Sequence, residues 1–169
     1  MNTGIRGHLS GIRKAFGPNI YNDFLLLNGR EYAFGPASFE GKRGEVHGCF
    51  MNAFHLAYEN PAMTYVEGKV SCHGLPLDHA WCVDKDGFVI DPTLEDKGQT
   101  LEYFGVPLRT DYVQKAFVWN GHYCSLLDYY FAGETAPKLF ELGLEAGQQW
   151  LVDQPMRKPK PKKTKGATK

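Results

Sequence analysis

Long apolar runs are missing from this sequence. No 18 consecutive apolar residues occur, which excludes a bilayer-spanning helix and leaves no membrane partner to expect. The stretch Met1 to Ser10 lacks the apolar segment of a signal peptide, so the expected location is the cytoplasm. Cysteine is scarce too. The four, at 49, 72, 82 and 124, should stay reduced in a cytosolic domain of this size, which allows a free reactive thiol. Glycine-rich phosphate loops, Gly-x-Ser-x-Gly elbows, paired catalytic carboxylates and internal repeats are all absent. No cofactor and no metal is expected.

What is present suffices for one core. The 169 residues are 43% hydrophobic and 14% aromatic, which suits a single domain, read here as residues 1–154. Seven of the 19 basic residues fall between Arg157 and Lys169, where no acid occurs, so 12 basic residues face 19 acidic ones in the rest. That acidic body is a poor polyanion groove. Residues 155–169 are expected to form a disordered basic tail. Its plain role is solubility; its sharper one is weak, salt-sensitive contact with nucleic acid or another anionic surface. A compact body with such a tail also suits a protein of a phage or mobile element.

The clearest helix begins at Cys49. Phe50, Ala53, Phe54 and Ala57 fall at i, i+3, i+4 and i+7, and Asn60-Pro61 stops it. Ile20 to Leu27 reads as a buried helix ended by Asn28-Gly29, and Phe34 to Gly48 as a surface loop. Thr64 to Cys72 reads as a strand with Val66 and Val70 on one face and Gly68 at a bulge or close approach. After a Gly74-to-Asp78 connector, His79 to Asp84 and Phe88 to Asp91 flank Lys85-Asp86-Gly87 and predict a hairpin. Tyr103 to Pro107 reads as a short extended piece or turn, and Asp111 to Phe117, Cys124 to Phe131 and Pro137 to Leu151 as helices. Strands and helices in blocks argue for an α+β domain.

A thiol becomes a nucleophile when ionised, and a helix start favours the thiolate through its dipole and its unbonded N–H groups. Cys49 has that position, and its own amide is an oxyanion donor in reach. The hairpin supplies the base. With a three-residue loop and Gly87 in the left-handed region, Asp84 faces Phe88 and Trp81 faces Asp91. His79, Trp81 and Asp91 then share a face, and His79 is the diagonal neighbour of Asp91. A two-residue turn would separate them. With Asp91 on one imidazole nitrogen, the other is left for Cys49, which is the logic of a triad.

Gly48-Cys49 at a helix start, then His79-Ala80-Trp81, Asp86-Gly87 and Ile90-Asp91-Pro92-Thr93, resembles the core of the transglutaminase-like branch of the papain-like superfamily over residues 44–107. The resemblance implies an N-terminal Cys helix packed on an antiparallel β-sheet that carries His and Asp. It also implies acyl transfer or hydrolysis through a thioester, with Cys49, His79 and Asp91 as the triad. Many members place a glutamine shortly before the cysteine as oxyanion donor; residues 42–48 hold none. Gly48, Asn52, His47 and Trp81 are the remaining oxyanion or substrate-cleft candidates.

Weaker patterns compete. Cys72, His73, His79 and Cys82 offer four zinc ligands, but with irregular spacing and at the expense of the base. His47 and His55 read as ordinary histidines, and His122 and Cys124 as possible cleft residues. Two functions follow: a thiol hydrolase or acyltransferase acting on a peptide, protein or small amide, or a catalytically weak binding module of the same fold.

Overall fold

A computed structural model describes residues 4–35, 41, 43–72, 74–95, 101–128 and 151–152. Five strands close into a barrel: β1 (Arg30–Phe34), β2 (Thr64–Cys72), β3 (Leu75–Val83), β4 (Phe88–Ile90) and β5 (Glu102–Leu108), in the order β1-β4-β3-β2-β5 with β5 returning to β1. Four helices accompany them among the described residues: α1 (Ile5–Phe16), α2 (Ile20–Asn28), α3 (Cys49–Glu59) and α4 (Thr110–Asn120). The fold is therefore mixed α+β.

Because side chains alternate along a strand, each strand feeds two cores. Tyr32, Val66, Val70, Trp81, Val83, Val89 and Tyr103, drawn from all five strands and from no helix, fill the barrel interior. Tyr65, Ala80, Cys82, Ile90, Phe104, Val106 and Leu108 face outward and pack with buried residues of all four helices. Helix α3 lies on β3, where the Cys82 thiol donates to the Ala53 carbonyl at 3.1 Å. The stripe Ala53, Phe54 and Ala57 is buried as the 3.6-residue period requires. Gly105 is forced to be glycine: a Cβ there would lie 2.6 Å from the Trp81 ring inside the barrel.

Glu67 belongs to the outer face, where alternation alone suggests water. It is instead buried, accepting from Ser125 Oγ at 2.6 Å, Leu127 N at 3.0 Å and Tyr65 Oη at 3.0 Å. The segment Cys124 to Asp128 is thereby fastened to the barrel as an irregular strap.

Several expectations are corrected. The sheet is not wholly antiparallel, since β1 runs parallel to β4. The Cys helix is the third helix, preceded by α1 and α2. Gly74 to Asp78 is no connector: Gly74, at φ +81°, turns the chain, and β3 starts at Leu75. Tyr103 to Pro107 is the middle of a full strand. Pro107 is tolerated there because its carbonyl accepts from Val152, so its missing N–H faces that side and not β2. Cys124 to Asp128 is not helical, and Leu151 forms an isolated bridge with Leu108. The remainder of the two helices expected over 124–131 and 137–151, and the tail over 155–169, lie outside the described residues. Among the described residues no helix is long and apolar enough to cross a membrane.

Candidate active site

Cys49 is the first residue of α3, after the N-cap Gly48. A first-turn N–H has no acceptor within its own helix, so thiol and amide both sit at the positive end of the dipole. The loop before it is pinned. Arg43 Nη1 donates to the carbonyls of Asp91 (2.9 Å) and Leu94 (2.6 Å), Gly44 N donates to Pro92 O (2.9 Å), and Asn52 Nδ2 donates to Glu45 O (2.9 Å) and Thr93 Oγ1 (3.0 Å). Every one of these bonds ties the cysteine loop, to itself or to the turn that follows Asp91.

The hairpin adopts the register required for a shared His and Asp face. Asp84 N donates to Phe88 O at 3.0 Å, Gly87 has φ +81°, and Cys82 and Val83 pair with Ile90 and Val89. One step further, Trp81 stands opposite Asp91. His79 Nε2 meets Asp91 Oδ2 at 2.7 Å, with the two residues 4% and 2% exposed. A carboxylate only accepts, so Nε2 carries the proton and Nδ1 faces away from Asp91. Cys49 lies close enough to the same imidazole to act on its titration.

Asp91 is saturated with donors. Oδ1 accepts from Thr93 N (2.8 Å) and Leu94 N (2.9 Å), while Oδ2 accepts from Tyr103 Oη (2.8 Å) besides His79. The Asp-Pro-Thr turn and the His-Asp pair are thus one device, since the carboxylate that caps the turn also orients the imidazole. Burial works to raise the Asp91 pKa, but the His79 hydrogen bond and charge, with the two backbone donors, bring it below the ordinary carboxylate value. For His79, burial favours the neutral ring. The Asp91 hydrogen bond and the neighbouring Asp91 and Cys49 groups override it and raise the pKa to about 9.

Trp81 stacks on His79 with ring centroids 6.2 Å apart and planes 17° apart, and Tyr103 meets Trp81 edge-on at 5.0 Å. Trp81 is completely buried. Its place is therefore behind the imidazole as a wall, not in an open substrate cleft as expected. Asn52 is likewise displaced from its expected oxyanion role, because its amide hydrogens are given to Glu45 O in the loop and to Thr93 Oγ1 in the turn after Asp91. A Cβ at Gly44 would collide with this amide, so the glycine is what lets it in. His47 is exposed and adopts φ +68°, costly for a residue with a Cβ, two positions before Cys49. Gly48 donates its N–H to Glu45 O at 3.1 Å and closes that turn.

The zinc alternative fails on faces. His79 points into the barrel, whereas Cys82 points out to Ala53; His73 is outside the described residues. Burial drives the Cys82 thiol far above the usual thiol range and the Cys124 thiol up to about 11. His122 lines a separate pocket at the far end of α3, and Cys124 accepts from Asn120 Nδ2, so neither joins Cys49. Sequence reasoning missed Arg43, Thr93 and Tyr103. Thr93 was visible as the end of the Asp-Pro-Thr motif, but nothing in the sequence marks a distant Tyr or Arg as a partner of Asp91. No family model matches the chain, and no curated protein or solved structure matches it either.

Proposed function

We propose that the chain is a thiol hydrolase or acyltransferase of the papain-like, transglutaminase-like kind, acting on an amide or ester through Cys49, His79 and Asp91. The observation that carries this reading is one buried imidazole bonded to a carboxylate on Nε2, with Cys49 at a helix start close enough to act on the titration of the same ring. The proton leaving Cys49 Sγ passes to His79, which retains it at neutral pH because its pKa is raised to about 9. The thiolate attacks the substrate carbonyl carbon, and the oxygen gains the charge beside the Cys49 N–H. Collapse breaks the bond to the leaving amine or alkoxide, which takes the His79 proton, and a thioester remains. Water, or an acceptor amine, gives a proton to His79 and attacks the thioester, releasing acid or new amide and restoring the thiol. Substrates in this reading are peptide, protein or small-molecule amides.

The test is alkylation by a neutral thiol-reactive probe at pH 7, followed residue by residue by mass spectrometry. Cys49 should react at least about a hundred times faster than Cys82 or Cys124. His79→Ala should abolish the advantage; equal labelling of the three cysteines in the wild type sinks the proposal.

One observation favours the second reading, a binding module of this fold that has lost turnover. With Asn52 engaged, the Cys49 amide is the only oxyanion donor identified among the described residues. Rapid labelling without any trapped acyl-enzyme from a panel of activated esters would select it.

A further inference from the structure

At the end of α3 remote from Cys49, a pocket of about 560 Å³ opens between the last turns of α3 and α4. Its floor is Phe54, only 7% exposed, whose ring touches four others: His55 and Tyr58 at 5.6 Å, Phe117 at 5.4 Å and Tyr123 at 6.1 Å between centroids. Tyr123 closes the ring by meeting Phe117 at 5.1 Å and sharing a 3.2 Å hydrogen bond with His55 Nε2. Tyr58 and Tyr123 stay 55% and 42% exposed, so this is a cup of aromatic rings open to solvent.

The cup holds one acid, Glu59, and two imidazoles, His55 and His122. Glu59 supplies the formal charge among the described residues that line it, and no lysine or arginine joins it. Two helices also end there, α3 at Glu59 and α4 at Asn120, and neither has a basic residue in its last turn. Their carbonyl ends carry partial negative charge, met at the end of α4 by the His122 Nδ1–H that donates to the Asn120 carbonyl at 2.9 Å. Aromatic faces, a carboxylate and two helix C-termini around a volume suited to a small ligand are complementary to an apolar-bodied cation.

We propose that this cup binds a small organic ammonium ion, with the quaternary or alkylated nitrogen over the rings of Phe54, Tyr58 and Tyr123 and its charge toward Glu59. The site is separate from Cys49, and its occupancy does not depend on turnover there.

The test is an NMR titration of the full chain with choline and with its neutral isostere, in which carbon replaces the quaternary nitrogen, followed on the ring protons of His55, Tyr58 and Tyr123. Choline should shift these resonances saturably and bind roughly 3- to 30-fold more tightly than the isostere. Glu59→Gln, an exposed change at a helix end, should weaken choline a few-fold and leave the isostere unchanged. Cys49→Ala should leave both as they are. Equal binding of choline and isostere, an unchanged choline affinity in Glu59→Gln, or no saturable shift at these rings would each overturn the proposal.

Discussion

Asp91 and Glu67 are both carboxyl groups withdrawn from water, 2% and 1% exposed, and each accepts at least three hydrogen bonds, yet their pKa values move in opposite directions. For both, burial is the largest influence and favours the protonated form. At Asp91 a cationic partner, His79, outweighs burial and the pKa falls. At Glu67 the donors are the Ser125 hydroxyl, strap amides and the Tyr65 hydroxyl, all neutral, and the pKa rises to about 7. Neutral donors recover only part of what desolvation removes, and a facing cation recovers the rest. The position in the barrel decides which occurs. Asp91 ends a strand on the inward face beside His79, whereas Glu67 lies on the outward face under the strap of Cys124 to Asp128.

If the two acids divide the work in this way, exchanging each for its amide separates chemistry from folding. Asp91→Asn offers Nε2 a donor where it needs an acceptor and so favours the wrong imidazole tautomer. Cys49 alkylation at pH 7 is expected to fall roughly a hundredfold. Glu67→Gln should leave that rate within about twofold, since it touches neither Cys49 nor His79. A similar loss in both variants would mean that labelling reports general loosening and would remove the distinction.

The same two acids show where the sequence was readable. Gly87 forces a left-handed residue, so the loop length and hence the facing of Trp81 and Asp91 follow from local chemistry alone. Helix α3 was equally legible, because its apolar period and the Asn60-Pro61 stop agree. Glu67 was illegible: a glutamate at an alternating strand position reads as solvent-facing until Ser125 and Leu127, distant in sequence, come to cover it. The same non-local bonds defeated the helix expected from Cys124, whose apolar Leu126 and Leu127 suit either state. Strand β1 was hidden for a related reason. Its five residues form a strand only because β4 and β5 are there to pair with it, and α1 presents just two buried residues, Ile5 and Leu9, to the core.

A smaller effect is expected in stability against pH. Glu67, at about 7 in the folded chain against 4.5 for the ordinary group, holds its proton more tightly when folded. Its contribution is therefore fully present below about pH 4.5 and is lost as pH rises through 7. His79, raised from 6.5 to about 9, behaves alike but contributes fully up to about pH 6.5. Between about pH 5 and pH 6.5 only Glu67 imposes a slope of these two. The melting temperature of the wild type should fall over that interval by several degrees, and Glu67→Gln should flatten it. A slope that survives the substitution would show that the strap does not hold an ionisable acid out of water.

Tyr103→Phe should act least, and it probes Asp91 at Oδ2, the oxygen that the imidazole also meets. The ring contacts with Trp81 at 5.0 Å and Phe34 at 5.4 Å survive, while the 2.8 Å bond to Asp91 Oδ2 is lost. One buried hydrogen bond is worth about 1 kcal/mol, so the fold should persist. Asp91 keeps His79 and both backbone donors, so its pKa should rise only part of the way toward the ordinary carboxylate value. An acid whose folded pKa is depressed contributes above that ordinary value and loses its contribution as pH falls through the folded one. The acid limb of the Cys49 labelling profile should then move upward by less than about one pH unit, with the plateau rate at pH 7 reduced only a few-fold. Lower stability with an unmoved acid limb would make Tyr103 a packing residue alone. A shift of the limb would place it in the chain of hydrogen bonds that fixes the imidazole.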